Sequence, residues 1–226
     1  MTEGNREERA VTSVLACINL KGGVGKSTLA VNVACCLART YGQRVVLFDA
    51  DRQGSSVAWA GRGLLPVPVL KRPLEGTVSA DRWAADLLGE ATDRIAVIDS
   101  PPHLDTVVQA VVGITNLAVV PVTPSPADLL ATLEALRLVR AARDLRRGLP
   151  QALLVPSRVD RRTLVGREIE AALAACQESV GPAVGQRSSF VDAFSAGQWI
   201  GDYAPSSAAA REIGALTACI LQMIAG

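Results

Sequence analysis

The residues best suited to chemistry lie in one short glycine-rich stretch, residues 20–28, which reads Leu-Lys-Gly-Gly-Val-Gly-Lys-Ser-Thr. The run at 11–19 before it alternates as a strand does, and the apolar run at 29–37 after it predicts a helix. Glycines let backbone N–H groups turn inward around an anion, and the positive end of the following helix favours negative charge. The stretch predicts a phosphate-binding loop, although Leu20 stands where the strict G-x-x-x-x-G-K-[ST] pattern has its first glycine. The residues expected to bind a nucleotide here are Gly22, Gly23, Val24, Gly25, Lys26, Ser27 and Thr28.

Carboxylates follow two predicted buried strands. Asp49 and Asp51 come after the apolar run at 45–48, and Asp99 closes the apolar run at 95–98. Ligands of open α/β sheets lie beyond the carboxyl ends of the strands, so these side chains should face the ligand of the glycine-rich loop. ATP with Mg²⁺ fits this set: Lys26 reaches the β and γ phosphates, Ser27 offers its hydroxyl to the metal, and Asp99 holds the metal through water.

Composition limits the classes of protein to consider. A chain of 226 residues that is 49% hydrophobic can build one substantial core, and a net charge of +1 leaves any polyanion binding to a local patch. Lysine occurs only at Lys21, Lys26 and Lys71, so two of the three lie in the glycine-rich loop. The single histidine excludes a His-based metal site or a Ser-His-Asp triad, and five cysteines without C-x-x-C spacing are expected to be small buried apolar residues.

The elements that must position these residues alternate between strand and helix along the chain. This order predicts an α/β fold with one doubly wound, mostly parallel sheet of the P-loop NTPase type. Residues 1–10 are expected to form a flexible tail, and residues 11–226 a single domain. Strands are predicted at 11–19, 45–48, 67–70, 95–98, 117–122, 152–155 and 183–184. Helices are predicted at 26–40, 55–60, 77–88, 104–112, 127–146, 164–178, 188–196 and 206–224.

The K-G-G-x-G-K-[ST] form of the loop resembles the deviant Walker A loop of the ParA/MinD family of ATPases. In that family the lysine at the position of Lys21 reaches across a dimer interface to the ATP of the partner subunit. The resemblance implies that ATP holds two subunits together in a sandwich dimer, and that Gly22 lies where two backbones and a nucleotide meet.

Further stretches resemble the same family. Residues 48–54 are similar to its switch I segment, D-x-D-P-Q-G, which implies that Asp51 orients the attacking water and Asp49 supports the Mg²⁺ site; Arg52 stands where the family has Pro. Residues 98–102 resemble switch II, and residues 121–128 resemble the P-x-x-P-S-x-x-D segment at the dimer face. Ser157 and Arg158 fall where the family has an Asn-Arg pair around the adenine, with Ser157 departing from that pattern.

The C-terminal third resembles the small ParF-like plasmid-partition ATPases, through the pairs Gln186-Arg187, Gly197-Gln198 and Ala204-Pro205. The resemblance implies slow ATP hydrolysis, a homodimer in the ATP state, DNA binding without sequence preference, and a cargo-bound, ParB-like adaptor that stimulates hydrolysis. It also implies a cytoplasmic, nucleoid-associated protein that partitions a plasmid, a chromosome or a protein assembly. The candidate DNA-binding residues are Arg161, Arg162, Arg167, Arg187 and Arg211.

Two alternatives use the same nucleotide site. MinD-like relatives bind membrane through a basic amphipathic helix, but residues 206–224 have no Lys or Arg after Arg211, so their apolar stripe is expected to pack on the sheet and no membrane partner is expected. An ATP-gated switch that acts on protein partners without DNA remains the second hypothesis. The arginines at the end of the helix 127–146 are expected to be solvated and to complement the helix dipole, with polyanion binding as the other option.

Overall fold

One parallel sheet separates two apolar cores in the computed structural model, which describes residues 13–76, 78–103 and 105–225. The strands follow the spatial order β3-β2-β4-β1-β5-β6-β7, with β8 paired to β6, and every pair is parallel. The fold class predicted from the sequence is therefore confirmed. The strands are β1 Val14–Cys17, β2 Val45–Asp49, β3 Val69–Lys71, β4 Ile95–Asp99, β5 Leu117–Val122, β6 Gln151–Val159, β7 Ser179–Val180 and β8 Val184–Gly185.

Helices cover both faces of the sheet, which is why the central strands read as continuous apolar runs. One core joins the sheet to the helices near both chain ends together with the helix after β2, and the other joins it to the helices in the middle of the chain. The helices are α1 Lys26–Tyr41, α2 Ser55–Ala60, α3 Ala80–Glu90, α4 Thr106–Ile114, α5 Pro126–Leu145, α6 Leu164–Ala174, α7 Ser188–Ala196, α8 Ile200–Tyr203 and α9 Ala208–Ala225.

Local signals set several boundaries as the sequence predicted. α1 ends at Tyr41, and the next residue, Gly42, adopts φ +64° and donates its N–H to the Leu37 carbonyl. A glycine is favoured here because the residue after a helix often adopts the left-handed conformation. The short strand expected near Pro66 and Pro68 is the edge strand β3. The five cysteines are free thiols, buried or packed against the two cores, as expected.

The region after β5 differs from the prediction in two places. β6 continues beyond 152–155 to Val159, because its carboxyl end pairs with β8 even though Ser157 and Arg158 are polar. The helix predicted at 164–178 ends at Ala174, so its last four residues are predicted wrongly, and the two residues of β7 follow directly after the predicted range. A two-residue strand is too short to show any periodicity in the sequence.

Three of the four arginines at the end of α5 have protein partners, whereas Arg147 is exposed as expected. Arg140 and Arg143 both donate to Glu178, whose side chain is only 6% exposed, and Arg146 donates to the Thr115 carbonyl. The expectation of a solvated helix end is therefore wrong for Arg140, Arg143 and Arg146, because a buried carboxylate and a backbone carbonyl bind these cations.

Among the described helices, only α9 is long and apolar enough, by length and composition alone, to cross a membrane. Its stripe of Ile213, Leu216 and Ile220 is fully buried in the core that contains α1, as the sequence predicted. The predicted tail at 1–10 lies outside the described residues, as do Val11, Thr12, Thr77 and Leu104, so the proposed domain bounds stay a prediction.

Candidate nucleotide-binding site

The glycine-rich loop follows β1 and leads directly into α1. Gly23 and Gly25 adopt φ values of +78° and +101°, a conformation that favours glycine. Gly25 is the N-cap of α1, and its carbonyl accepts the Leu29 N–H at 2.9 Å. Around Gly22 and Gly23 no heavy atom lies within 4 Å of the position that a Cβ would take. The loop therefore has an open concave side above the positive end of a sixteen-residue helix.

Lys26 folds back over this loop. Its Nζ donates to the Lys21 carbonyl at 2.9 Å, and only 7% of the residue is exposed. Burial lowers the pKa of Lys26, while the neighbouring carboxyls of Asp99 and Asp51 act in the opposite direction. A buried ammonium held near two acidic groups is well placed to neutralise a phosphate that enters the loop.

Asp49 and Asp99 are direct neighbours at the carboxyl ends of β2 and β4. Both are buried, and burial raises the pKa of each, to about 7 for Asp99. Asp99 accepts hydrogen bonds from Ser27 and, at 2.8 Å, from the Ser56 hydroxyl, and Asp49 accepts the Val57 N–H at 3.0 Å. Ser56 could not be identified from the sequence, because a serine inside a short helix carries no signal of its own.

Asp51 lies on the loop between β2 and α2. One of its carboxylate oxygens accepts the Gln53 N–H at 3.0 Å, and its carbonyl accepts the Gly54 N–H at 3.0 Å, so the turn that carries Asp51 is closed on itself. The side chain lines a cavity of about 640 Å³ together with the glycine-rich loop. The predicted site residues that line this cavity are Gly22, Gly23, Gly25, Lys26, Ser27, Thr28, Asp51, Ser157 and Arg158.

Lys21 is directed away from this cavity. Its ammonium, on a side chain that is 43% exposed, pairs with Asp128 in the first turn of α5. Its backbone N–H donates to Asn19, and the buried Asn19 amide donates to the Pro121 carbonyl at 2.8 Å and to Thr132. These hydrogen bonds connect residues 121–128, the segment predicted to lie at a dimer face, to the backbone of Lys21. Asn19 was also missed from the sequence, because its partners lie more than one hundred residues away.

Ser157 and Arg158 meet the glycine-rich loop from β6. The Ser157 hydroxyl lies 2.8 Å from the position that a Cβ on Gly25 would take, so Ser157 is part of the wall behind the loop. Arg158 adopts a left-handed backbone at φ +53°, and its Nη1 donates to the Gly23 carbonyl at 2.7 Å. The register between β6 and β8 shifts between Ser157 and Val159.

Aromatic side chains also line this cavity. Trp59 of α2 and Phe194 of α7 meet edge to face, with ring centroids 5.3 Å apart, and Phe190 is a further lining residue. The Trp59 indole donates to the Gln198 carbonyl at 2.8 Å, which connects α2 to the loop after α7. A cavity lined by cationic side chains, by the glycine-rich loop and by aromatic side chains suits a nucleotide.

The donor set also fits Mg²⁺. Mg²⁺ is commonly bound by one or two carboxylates, with phosphates and water completing its shell. Asp99, its hydrogen-bonded neighbour Ser27, and Asp49 supply such oxygens at the edge of the phosphate loop. Among the described residues no group of three or more His, Cys, Asp or Glu side chains is arranged so that it could hold a metal ion.

The five candidate DNA-binding arginines do not form one cluster. Arg161 and Arg162 line a second cavity of about 750 Å³, and Arg187 lines both this cavity and the first. Arg167 donates to the Arg162 carbonyl, and Arg211 on α9 donates to the Ser206 carbonyl.

Comparisons with known proteins agree with this geometry. Residues 15–198 match the family described as CobQ/CobB/MinD/ParA nucleotide binding domain. The Maintenance of carboxysome distribution protein A of Gloeobacter kilaueensis is 38% identical over 163 residues, which are 70% of this chain and 68% of that protein. The Chromosome-partitioning ATPase Soj of Thermus thermophilus is 31% identical over 238 aligned positions, which cover 90% of this chain and 93% of Soj.

Solved structures share the fold at low sequence identity. A Cyanothece McdA variant in complex with ATP superposes with a TM-score of 0.74 at 15% identity, covering 95% of this chain and 96% of that one. MinD of Pyrococcus horikoshii OT3, complexed with Mg-ADP, gives a TM-score of 0.74 at 16% identity, covering 96% of this chain and 98% of that one. The chain belongs to the CobQ/CobB/MinD/ParA family of nucleotide-binding domains and, within it, to the ParA/MinD type of ATPase.

Proposed function

We propose that this chain is a Mg²⁺-dependent ATPase that dimerises when it binds ATP, binds DNA without sequence preference, and positions a cargo in the cytoplasm. The observation that carries the proposal is that the two lysines of one loop extend in different directions. Lys26 reaches over the loop that it follows, whereas Lys21 pairs with Asp128 on the far side. A lysine that does not line its own nucleotide cavity is available to a second subunit.

In this proposal the residues of the first cavity divide the chemistry among them. The loop N–H groups and Lys26 hold the phosphates and offset their charge, which stabilises the charge that builds up during phosphoryl transfer. Asp51 holds the water in line with the γ phosphate. Ser27, Asp49 and Asp99 would hold Mg²⁺, which supplies further charge neutralisation when bound.

Hydrolysis by such a site is expected to be slow. Asp51 is half-buried and accepts the Gln53 N–H of its own turn, and its proposed role is only to position the attacking water. The proposed ParB-like adaptor on the cargo stimulates turnover by acting on this turn from outside.

The names of two relatives support the cargo role. One is a carboxysome distribution protein and the other a chromosome-partitioning ATPase, so both act on large objects that must be placed within a cell. The cargo proposed here is accordingly a plasmid, a chromosome or a protein assembly. DNA binding would come from the arginine-lined second cavity, because phosphate contacts require only charge and reach.

A Mg²⁺-ATPase assay with and without DNA tests the enzyme, with Asp51→Ala as the control. Turnover that does not exceed the Asp51→Ala background would refute the hydrolase. Sizing of the protein and its co-sedimentation with DNA test the proposed dimerisation and DNA binding. Both measurements are made in ADP, and in ATP with the Asp51→Ala variant. A dimer that sediments with DNA only in ATP is expected, and a monomer in both states would refute the sandwich.

A second candidate is an ATP-gated switch that acts on protein partners without DNA. Two exposed leucines on α5 favour it: Leu130 is 67% exposed and Leu133 is 41% exposed, and they lie about one helical turn from each other. An exposed apolar pair suits a protein partner. ATP-dependent dimers that ignore DNA at low salt would favour this candidate over the first.

A further inference from the structure

The nucleotide cavity and the second cavity share one wall. Three consecutive residues, Gly185, Gln186 and Arg187, line both cavities. They connect β8 to α7, and the Gln186 N–H donates to the Val159 carbonyl at the end of β6. A ligand that enters the first cavity therefore touches the same loop that a ligand in the second would touch.

Glu212 of α9 holds this loop in place. One of its carboxylate oxygens accepts the Gly185 N–H at 3.0 Å and the Arg187 Nε at 3.3 Å, and the other accepts the Arg187 Nη2 at 2.6 Å. The Arg187 guanidinium lies over Gly185, about 3.1 Å from the position of a Cβ there. α9 is anchored in the core, so a change that separates Glu212 from Arg187 would have to occur in the loop.

The arginines of the second cavity are all engaged by carboxylates. Arg161 donates to Glu170 at 2.6 Å and Arg162 donates to Asp160 at 2.7 Å, while Arg187 is held by Glu212. Each carboxylate competes with a phosphate for the same N–H groups. In this state part of each guanidinium is occupied by a carboxylate and is not available to a polyanion.

We infer that a nucleotide in the first cavity draws the Gly185–Arg187 loop away from Glu212 and frees Arg187 to bind a phosphate of the nucleic-acid backbone in the second cavity. The inference rests on the proposed ATP-dependent DNA binding and names the latch that would control it. Glu212 is the latch, and Arg187 is the residue that it releases.

The latch has a measurable electrostatic signature. Each phosphate contact added to a B-DNA complex steepens the slope of log K against log salt concentration by about 0.9. Freeing Arg187 should add one contact. Coupling is also reciprocal, so DNA should raise the affinity for ATP by the factor by which ATP raises the affinity for DNA.

The test compares Glu212→Gln with Glu170→Gln, both in an Asp51→Ala background that retains ATP. Each substitution removes one carboxylate and frees one arginine of the same cavity, but only Glu212 contacts the shared loop. Binding of a labelled double-stranded DNA fragment is measured in ADP and in ATP over a range of salt concentrations. Glu212→Gln should raise the affinity for DNA more in ADP than in ATP and so lower the ratio of the two affinities, whereas Glu170→Gln should gain affinity equally in both nucleotides.

Two results would overturn the inference. If Glu212→Gln keeps the parental ratio of the DNA affinities in ATP and in ADP, then Glu212 does not control the release of Arg187, while the proposed function stands. If the parent itself ignores DNA in ATP, the proposed DNA binding fails and the latch fails with it. Gly185→Ala guards against a folding defect of the first variant, because its added methyl group pushes on the Arg187 guanidinium and leaves Glu212 in place. It should also bring the ratio towards one, and an unchanged ratio in this variant would equally contradict the latch.

Discussion

Two glycines of the phosphate loop should respond very differently to the same added methyl group. Gly25 has φ +101°, and a Cβ on it would lie 2.8 Å from the Ser157 hydroxyl in a buried position. Backbone strain of this kind costs about 1–3 kcal/mol, and forcing an extra methyl group into a packed interior costs about 1–3 kcal/mol more. We expect Gly25→Ala to lower the free energy of unfolding by about 2–6 kcal/mol from these two contributions together.

Gly22→Ala is the matched control. No heavy atom lies within 4 Å of its Cβ position and its φ is not in the left-handed region, so its free energy of unfolding should change by less than about 1 kcal/mol. Urea unfolding without nucleotide measures both variants. Adding Ser157→Gly to Gly25→Ala should recover about 1–3 kcal/mol, the part due to the contact. Equal midpoints for Gly22→Ala and Gly25→Ala would refute the placement of Ser157 behind the loop.

Other predictions concern buried polar groups. Glu178→Gln should lower the free energy of unfolding by about 3 kcal/mol, because two arginines lose a buried carboxylate as their partner. Glu170→Gln is the control, because it breaks an exposed ion pair and should lower the free energy of unfolding by less than about 1 kcal/mol. Urea unfolding measures both variants. Burial raises the pKa of Glu178, but hydrogen bonds from the two arginines outweigh it and hold the pKa below its ordinary value. The contribution of the Glu178 carboxylate to the free energy of unfolding should be complete above its unfolded-state pKa and lost as the pH falls through its lower folded-state pKa. If the difference in unfolding free energy between wild type and Glu178→Gln grows on acidification, the prediction is contradicted. Asn32→Ala leaves a buried backbone N–H without its acceptor and should cost about 1–3 kcal/mol in thermal unfolding. Lys26→Met removes a buried charge, so the nucleotide-free variant should unfold no more readily than wild type. Its affinity for ATP, measured by calorimetry, should fall at least tenfold. Normal ATP affinity would argue against Lys26 as a phosphate-binding residue.

The sheet and the phosphate loop were predictable because their signals are local. The apolar runs that became β2, β4 and β5 are short, continuous and followed by polar residues, which is the pattern of a strand buried on both faces. Gly25 and Lys26 are adjacent in sequence, so their spacing alone indicates the loop. Asp99 could be placed beside Asp49 because the carboxyl ends of parallel strands lie at one edge of a sheet.

The contacts that complete the site join residues far apart in the sequence. Lys21 and Asp128 are separated by 107 positions, and no property of either residue names the other. The role of Ser157 behind Gly25 depends on how β6 passes the loop. Arg187 could be recognised as a cation from the sequence, but its place between two cavities follows only from the pairing of β8 with β6 and from Glu212 on α9.

The central claim is that a second subunit completes the nucleotide site through Lys21. Sedimentation velocity with ATP and Mg²⁺ tests it most directly, on Asp51→Ala and on the double variant Lys21→Ala with Asp51→Ala, with ATP binding measured in parallel. We predict that Asp51→Ala is a dimer in ATP and a monomer in ADP, and that the double variant binds ATP but stays monomeric. A double variant that dimerises in ATP as readily as Asp51→Ala would contradict the account.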